Sequence, residues 1–458
     1  MSKMIRTKPN QSRKTAVVHV LGCKVNQTEA WAMAQILRDR GYEVVSSSQH
    51  PDLIVINTCC VTSKAEGKSR RLINRLSRTF PGAQLVVTGC LAEVNPLAVE
   101  GVSKAVNVLG TFDKDHFESF VARGLVLPEG QERLGSWNCC EFVDMVVPGI
   151  PGIPGRARAF LKIQDGCSHN CAYCIVPIAR GPSRSLPIGG VKAHVQYLKD
   201  RGYGEIVLTG INLGSYGRDL TPSLVVEDLL QGLLEEAGDV RFRLSSIEPQ
   251  DITPRLIELV AGQDRLCRHF HIPLQSGDDR ILKIMGRPYN SASIKALTER
   301  ILRHIPDACI GFDVMVGFPG EDQDAFRQTV QLIEHSGTSY LHVFPFSSRP
   351  GTAAASMGPK VPENVLRERV QQLRTLSRTL KNSFFQRSLG KTFKVIPESR
   401  PDPKTQTFVG RTDNYIPVRV QSTETSHDSN AFFVFLERII DDEVHGICLK
   451  APHRPPVQ

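Results

Sequence analysis

Three short apolar runs punctuate the first hundred positions: AVVHVLG from Ala16, DLIVINT from Asp52 and QLVVTG from Gln84. Each is rich in β-branched residues and bounded by turn formers, which predicts buried strands. Stretches with helical spacing of apolar positions, TEAWAMAQILRDRG and AEGKSRRLINRLSRTF, fall between them. Strand, helix and strand recurring at roughly thirty residues predict right-handed βαβ units and a parallel sheet.

The stretch VVPGIPGIPGRARAF from Val146 cannot continue a helix or a central strand, so it marks a boundary. Beyond it six strand-type runs, RAFLKIQDG, EIVLTG, RFRLSSIEP, RHFHIPLQSG, IGFDVMVGFPG and YLHVFPFSS, alternate with helix-type runs. That alternation predicts a barrel or partial barrel with its chemistry at the C-terminal strand ends. A long amphipathic helix from Pro362 closes this part at Gly390. The tail holds short strand-type runs, KTFKVIPE, QTFVGRT, YIPVRV, AFFVFLERII and GICLKA, which suit a small antiparallel barrel. The expected architecture is α/β throughout the first two parts. An N-terminal parallel-sheet domain spans 1–147, a linker 148–156, a partial (β/α)6 barrel 157–385 and a small β-barrel 386–453.

Composition refines this picture. The chain has 458 residues, 41% hydrophobic and 22% charged, as in a globular protein of several domains. Its net charge of +9 points to an acidic partner, with nucleic acid as the commonest, against the alternative of a solvated surface. In the tail, Lys391, Lys394, Arg400, Lys404, Arg411 and Arg419 interleave with Phe408 and Tyr415, a pattern that fits RNA unless the aromatics form the core. The first residues lack a secretory apolar core and no run is long enough for a membrane span, so a cytoplasmic protein without membrane contact is expected. There the 12 cysteines stay reduced and bind metal more readily than they pair.

Those cysteines are placed informatively. Cys23, Cys59 and Cys90 each stand just past one of the first three strands, and parallel strands bring such positions to one edge. For any one of them, a small buried residue after a strand is the alternative. Cys60 follows Cys59 directly, and either could be the ligand; strand alternation points the two in opposite directions, and Cys59 is chosen because the NTCxV pattern of the resemblance given below matches there. QDGCSHNCAYCIVPIARG, from Gln164, carries Cys167, Cys171 and Cys174 after the first strand of the predicted barrel. Three thiolates suit an iron–sulfur cube with one iron left open, while zinc would need a fourth ligand and remains an alternative. Cys139, Cys140, Cys267, Cys309 and Cys448 match no motif.

CxxxCxxC after the first strand of such a barrel resembles the radical S-adenosylmethionine (SAM) enzymes. LGCKVNQTEAWAM, VINTCCVTSKAEGKSR and VVTGCLAE resemble the N-terminal domain of the methylthiotransferases. LTGINLGSYG, LSSIEP, FHIPLQSGDDRILKIMGRPYN and FDVMVGFPGE resemble their radical SAM domain. The tail is similar to a TRAM domain, an RNA-binding module. GCKVNQ and SYLHVFPFSSRPGTAA look like the branch that acts on N6-threonylcarbamoyladenosine in tRNA; the other branches act on isopentenyladenosine in tRNA or on an aspartate of a ribosomal protein. A non-catalytic iron–sulfur RNA sensor is the competing class.

The resemblance implies two [4Fe–4S] clusters, one on Cys23, Cys59 and Cys90 and one on Cys167, Cys171 and Cys174. SAM bound at the second would yield a 5′-deoxyadenosyl radical, and the methylthio group would go to adenine C2 next to the anticodon (position 37). For SAM it nominates Tyr173 and Ile175 at the adenine, Gly210 and Asn212 at the methionine end, Ser246 and Glu248 near the ribose, and Val316 and Gly317 as an apolar wall. Arg180, Arg184, Gln275, Ser276, Lys391 and Arg411 are candidates to face substrate or RNA. The implied partners are ANN-decoding tRNA and a low-potential electron donor, with the protein a monomer.

Overall fold

The structure is a computed structural model describing residues 14–45, 50–101, 106–125, 158–236, 238–398, 402, 405, 407–421 and 431–449. The expected linker 148–156, the boundary positions 147 and 157, and Cys139, Cys140, Arg400 and Lys404 lie outside the described residues. Two compact units are present. The first holds the described residues up to 60 and from 64 to 125, the second 61–63 and those from 158 onward. No described helix is long and apolar enough to cross a membrane.

In the first unit, β1 (Thr15–Val20), β2 (Glu43–Val44), β3 (Leu53–Thr58), β4 (Gln84–Gly89) and β5 (Val106–Val108) form one parallel sheet in the order β2-β1-β3-β4-β5. All six residues of β3 are buried, because a central parallel strand is covered on both faces and needs an unbroken apolar run. The helix Lys24–Asp39 lays Met33 and Leu37 on a core with Leu53, Val55, Val86, Phe117 and Phe120. Edge strands β2 and β5 have two and three residues, too few to show a period in sequence.

The second unit begins with β6 (Arg158–Lys162), followed by the antiparallel pair β7 (Gln164–Asp165) and β8 (Arg184–Ser185), which carries the cysteine loop. Strands β9 (Glu205–Thr209), β10 (Arg241–Leu244), β11 (His269–Gln275), β12 (Cys309–Val316) and β13 (Tyr340–Pro345) continue the βα alternation. Parallel pairings join β6, β9 and β10, then β11, β12 and β13, and bridges Phe242–Leu266 and Ser246–His271 link the two sets. The result is an arc of six parallel strands, with no pairing of β6 to β13 among the described residues.

The tail strands β14 (Thr392–Pro397), β15 (Thr407–Thr412), β16 (Pro417–Gln421), β17 (Phe432–Ile440) and β18 (Glu443–Leu449) close into a barrel in the order β14-β15-β16-β18-β17. Inward positions alternate along β15 and β16, and Phe393, Val395, Phe408, Val418, Val434 and Leu436 fill the interior. The strand-type runs predict an all-antiparallel barrel, yet β16 and β18 run parallel. Five strands cannot alternate direction all the way round a closed ring, so one neighbouring pair must share a direction.

The tail barrel seats on the N-terminal ends of the arc through buried charge. Glu205, at the start of β9, is fully buried and ion-paired to Arg241 at 2.6 Å and Arg243 at 3.0 Å. Those two arginines donate onward to the carbonyl oxygens of Lys394, Arg411, Thr412 and Asp413 at 2.7–2.9 Å. His269, at the start of β11, stacks on Tyr415 with ring centroids 4.2 Å apart and meets the Tyr340 hydroxyl at 2.9 Å. Burial alone would push the Glu205 carboxyl up, but Arg243, Arg241 and Arg158 outweigh it and hold it well below the usual carboxylate range.

Glu205→Gln should therefore destabilise this unit by about 3–5 kcal/mol at neutral pH, because two buried guanidiniums lose their counter-charge. A carboxyl depressed in the folded state contributes stability above its unfolded value and loses it as pH falls through the folded one. Urea unfolding of the wild type should thus weaken in acid, and the difference between wild type and variant should shrink. Equal stability of the two proteins at pH 7 would contradict this role.

Candidate active site

At the C-terminal edge of the first sheet, Cys59 and Cys90 follow β3 and β4 directly, and Cys23 stands at the head of the helix Lys24–Asp39. Gly22 has φ +103°, and a Cβ there would lie 2.7 Å from Cys59 Cβ and 3.0 Å from its Sγ. Glycine is thus what lets the Cys23 turn lie against Cys59. A Cβ on Gly89, φ +95°, would meet the Thr58 carbonyl at 2.4 Å, so the β3 and β4 ends are equally close.

Asn26 Nδ2 ties these ends by donating to Leu21 O at 2.8 Å and Thr58 O at 2.9 Å. Asn57 Nδ2 donates to Asn26 O and to Glu29 Oε2, and the buried Lys114 Nζ sits 2.5 Å from Glu29. Ser69 Oγ accepts from Cys59 N at 3.2 Å and donates to Cys59 O at 3.0 Å. Cys23 is exposed, whereas Cys59, Cys60 and Cys90 are buried. The sulfur lying against the Cys23 turn is that of Cys59.

The second trio sits on the loop between β7 and β8. Gly166 has φ +68°, and a Cβ would stand 1.9 Å from Pro182 O, so the loop closes tightly at its base. Cys167 N donates to Gly181 O at 3.0 Å, Ala172 N to Met285 O at 2.9 Å, and Ala354 N to Ala172 O at 2.7 Å. All three cysteines are partly exposed. Burial pushes the Cys174 thiol up to about 12 and raises that of Cys167. These are groups that ionise when a cationic metal supplies the missing charge, which is the chemistry an iron–sulfur cube would find here.

Around the loop is a polar set dominated by Arg287, a residue that sequence reasoning misses although it lies within the motif KIMGRPYN. Arg287 Nη1 donates to Cys171 Sγ at 3.1 Å and Tyr173 Oη at 3.5 Å, and Nε donates to Tyr289 Oη at 2.8 Å. Its other terminal nitrogen pairs with Glu248. The Glu248 carboxyl is pushed up to about 7 by burial, against the pull of Arg287. Gln164, also missed, accepts from Asn212 N at 2.8 Å and donates to Asp165 O, Gly166 O and Ser183 Oγ.

The structure gathers most nominated residues at these strand ends. Gly210 follows β9, where a Cβ would stand 2.7 Å from Gln164 Oε1. The Asn212 Oδ1 is buried without a protein partner. Ser246 and Glu248 follow β10, and Ser246 bridges to His271. Buried Ile175 caps the helix Val176–Arg180, and the Tyr173 ring meets Phe318 edge-on. Val316 ends β12 buried; Gly317, φ +80°, leaves room for Leu366 and donates to Glu321 Oε1 at 3.1 Å. Gln275 ends β11 at φ +64° with its Oε1 buried and unpartnered.

Four expectations need correction. Arg180 and Arg184 do not reach outward: Arg180 is 1% exposed and grips both oxygens of Asp165 at 2.8 and 3.0 Å, with Arg184 at 3.8 Å from the same carboxylate. Arg411 forks onto Glu398 at 2.8 and 3.1 Å. Lys391, by contrast, is exposed in a surface pair with Asp307 at 2.6 Å, which leaves its nomination standing. Ser276 is turned inward, 3.3 Å from the Thr329 hydroxyl, and accepts from Asp278 N; the cap of the following helix is Asp278. In each case a charge or hydroxyl is legible in sequence and its distant partner is not. One further group escapes the sequence: on β11, β12 and β13, Asp313 Oδ1 lies 2.8 Å from His271 Nε2 and 3.3 Å from His342 Nδ1.

Residues 15–110 match the family described as uncharacterized protein family UPF0004, and residues 161–333 match the radical SAM superfamily. The chain is 37% identical over 412 residues to threonylcarbamoyladenosine tRNA methylthiotransferase MtaB of Bacillus subtilis, covering 90% of this chain and 91% of that protein. It is 34% identical to the protein of the same name from Rickettsia prowazekii, covering 87% and 90%. Identity to tRNA-2-methylthio-N(6)-dimethylallyladenosine synthase of Pelotomaculum thermopropionicum is 33%, covering 86% and 88%. Among solved structures, the radical SAM methyltransferase TsrM of Kitasatospora setae superposes with a TM-score of 0.53 at 14% identity over 75% of this chain and 74% of that one, a likeness of fold.

The Arg180 pairing yields a direct check. Arg180→Ala should cost about 3 kcal/mol, the low end for a broken buried pair, because Lys162 and Arg184 stay near Asp165. RNA affinity of the folded variant should be unchanged. Weaker RNA binding with full stability would restore the surface role.

Proposed function

This chain belongs to the radical SAM methylthiotransferase family, and from that premise we propose that it replaces the hydrogen on C2 of N6-threonylcarbamoyladenosine in tRNA with a methylthio group. The observation that carries the proposal is the pair of cysteine trios, each presented at the C-terminal ends of parallel strands. The choice of nucleoside is supported by the relatives named for it, which match over most of their length.

In this reading each trio holds a [4Fe–4S] cluster, with Cys59 rather than Cys60 in the first. Cys167, Cys171 and Cys174 would hold a cluster that would supply the electron for cleaving SAM, and Cys23, Cys59 and Cys90 one that would supply sulfur. The protein's part is placement. The unpartnered Asn212 Oδ1 can accept from the amino group of SAM, and Gly210 keeps that strand end free of a side chain. Arg287 sets a buried positive charge on Cys171 and orients Glu248 and Tyr173. Val316 gives an apolar wall, while Gln275 offers a free acceptor to a bound nucleoside. The tail barrel acts as the TRAM-type module, and a low-potential donor supplies electrons.

Anaerobically reconstituted protein, given SAM, a reductant and tRNA bearing threonylcarbamoyladenosine, should yield the 2-methylthio nucleoside by mass spectrometry. Methylthiolation of tRNA bearing isopentenyladenosine alone would overturn the substrate assignment. Arg287→Met should retain iron but move the second cluster to a lower reduction potential, since a hydrogen bond to a ligand sulfur favours the reduced state. An unchanged midpoint in an EPR-monitored titration would remove Arg287 from this role.

A further inference from the structure

With Arg180, Arg184 and Arg411 engaged in ion pairs within the second unit, exposed positive charge is found elsewhere. On the helix Ser63–Thr79, Lys64, Lys68, Arg71, Arg75 and Arg78 recur at intervals of four, three, four and three. That spacing places all five on one helix face over about 21 Å at 1.5 Å per residue. All five are exposed, and the helix's one carboxylate, Glu66, is engaged by Arg70 at 2.8 Å. The opposite face, with Ser69, Ile73 and Leu76, is buried.

An open groove of about 880 Å³ runs beside this stripe, lined by Lys68, Arg71, Arg75 and Arg78 and, at the end of β1, by Leu21. Leu21 stands two residues before Cys23, and the helix starts at Ser63, shortly after Cys59, so the stripe begins at the sheet edge of the first cysteine trio and runs back from it.

We propose that this basic stripe is a docking track for the phosphate backbone of the RNA substrate, leading it along the first unit to the edge where Cys23, Cys59 and Cys90 gather. The inference rests on the tRNA reading above. A row of same-sign charges at about one per helical turn suits a polyanion that carries charge at regular intervals. A protein partner would call for an apolar centre within the patch, and the groove supplies only Leu21 and the half-buried Leu72.

The test is the triple variant Lys68→Gln/Arg71→Gln/Arg75→Gln, all at exposed positions, beside Arg71→Lys/Arg75→Lys, which keeps the charge. Affinity for tRNA should be measured by fluorescence anisotropy across a salt series. The triple variant should bind about tenfold more weakly near 0.15 M salt, with a log–log salt slope shallower by about 2, since each phosphate left without its cation takes roughly 0.7–0.9 off the slope. RNA-independent cleavage of SAM should stay at the wild-type rate, and the lysine pair should bind as the wild type does. Unchanged affinity and slope would overturn the proposal, as would a triple variant that keeps RNA binding but loses reduction by an acidic electron-transfer protein. If wild-type protein fails to modify threonylcarbamoyladenosine yet shows the stripe-dependent slope, the substrate reading falls and this inference stands.

Discussion

Parallel strands joined by crossover helices deliver every C-terminal strand end to the same edge, and this constraint organises both α/β parts of the chain. It lets residues distant in sequence become neighbours without any long loop: Cys23, Cys59 and Cys90 need only stand just past β1, β3 and β4. The second unit uses the same edge differently. Its three cysteines come from one tight loop, and the strand ends around it contribute the surroundings, from Gly210 and Asn212 after β9 to Val316 at the end of β12. What the first unit spreads over three strands, the second concentrates in eight residues.

The two ends of the six-stranded arc have separate duties. At the N-terminal ends, Glu205, Arg241, Arg243 and His269 are buried against the tail barrel, with every charged group engaged. At the C-terminal ends, unpartnered acceptors remain on Asn212 and Gln275, thiols are raised by burial, and Arg287 presents a charge to a sulfur. Buried polar atoms without partners are costly in a stable core. At the C-terminal ends the acceptors of Asn212 and Gln275 stand where a bound molecule would meet them.

The strands are legible because buried parallel strands require unbroken apolar runs, and the turn residues after them advertise the ends. Cysteines immediately beyond those runs are legible for the same reason. What escapes is pairing. Arg180 reads as a free cation until Asp165 is seen beneath it, and Lys391 meets Asp307 across 84 residues. Arg287 lies 116 residues from the sulfur it touches, a distance no local pattern spans. The short strands β2, β5, β7 and β8 are invisible because two or three residues carry no period. By contrast, the spacing of cations from Lys64 to Arg78 is present in the sequence throughout, and gains meaning only once the other cations prove to be engaged.

The central claim is that the two trios are independent holders of iron, each complete without the other. Counting iron, with Mössbauer spectra, in two triple variants tests it most directly: one with Cys23, Cys59 and Cys90 changed to alanine, the other with Cys167, Cys171 and Cys174. The account predicts about eight irons in the wild type and about four of [4Fe–4S] type in each variant. A variant that loses all its iron, keeps all of it, or binds stoichiometric zinc instead would contradict it.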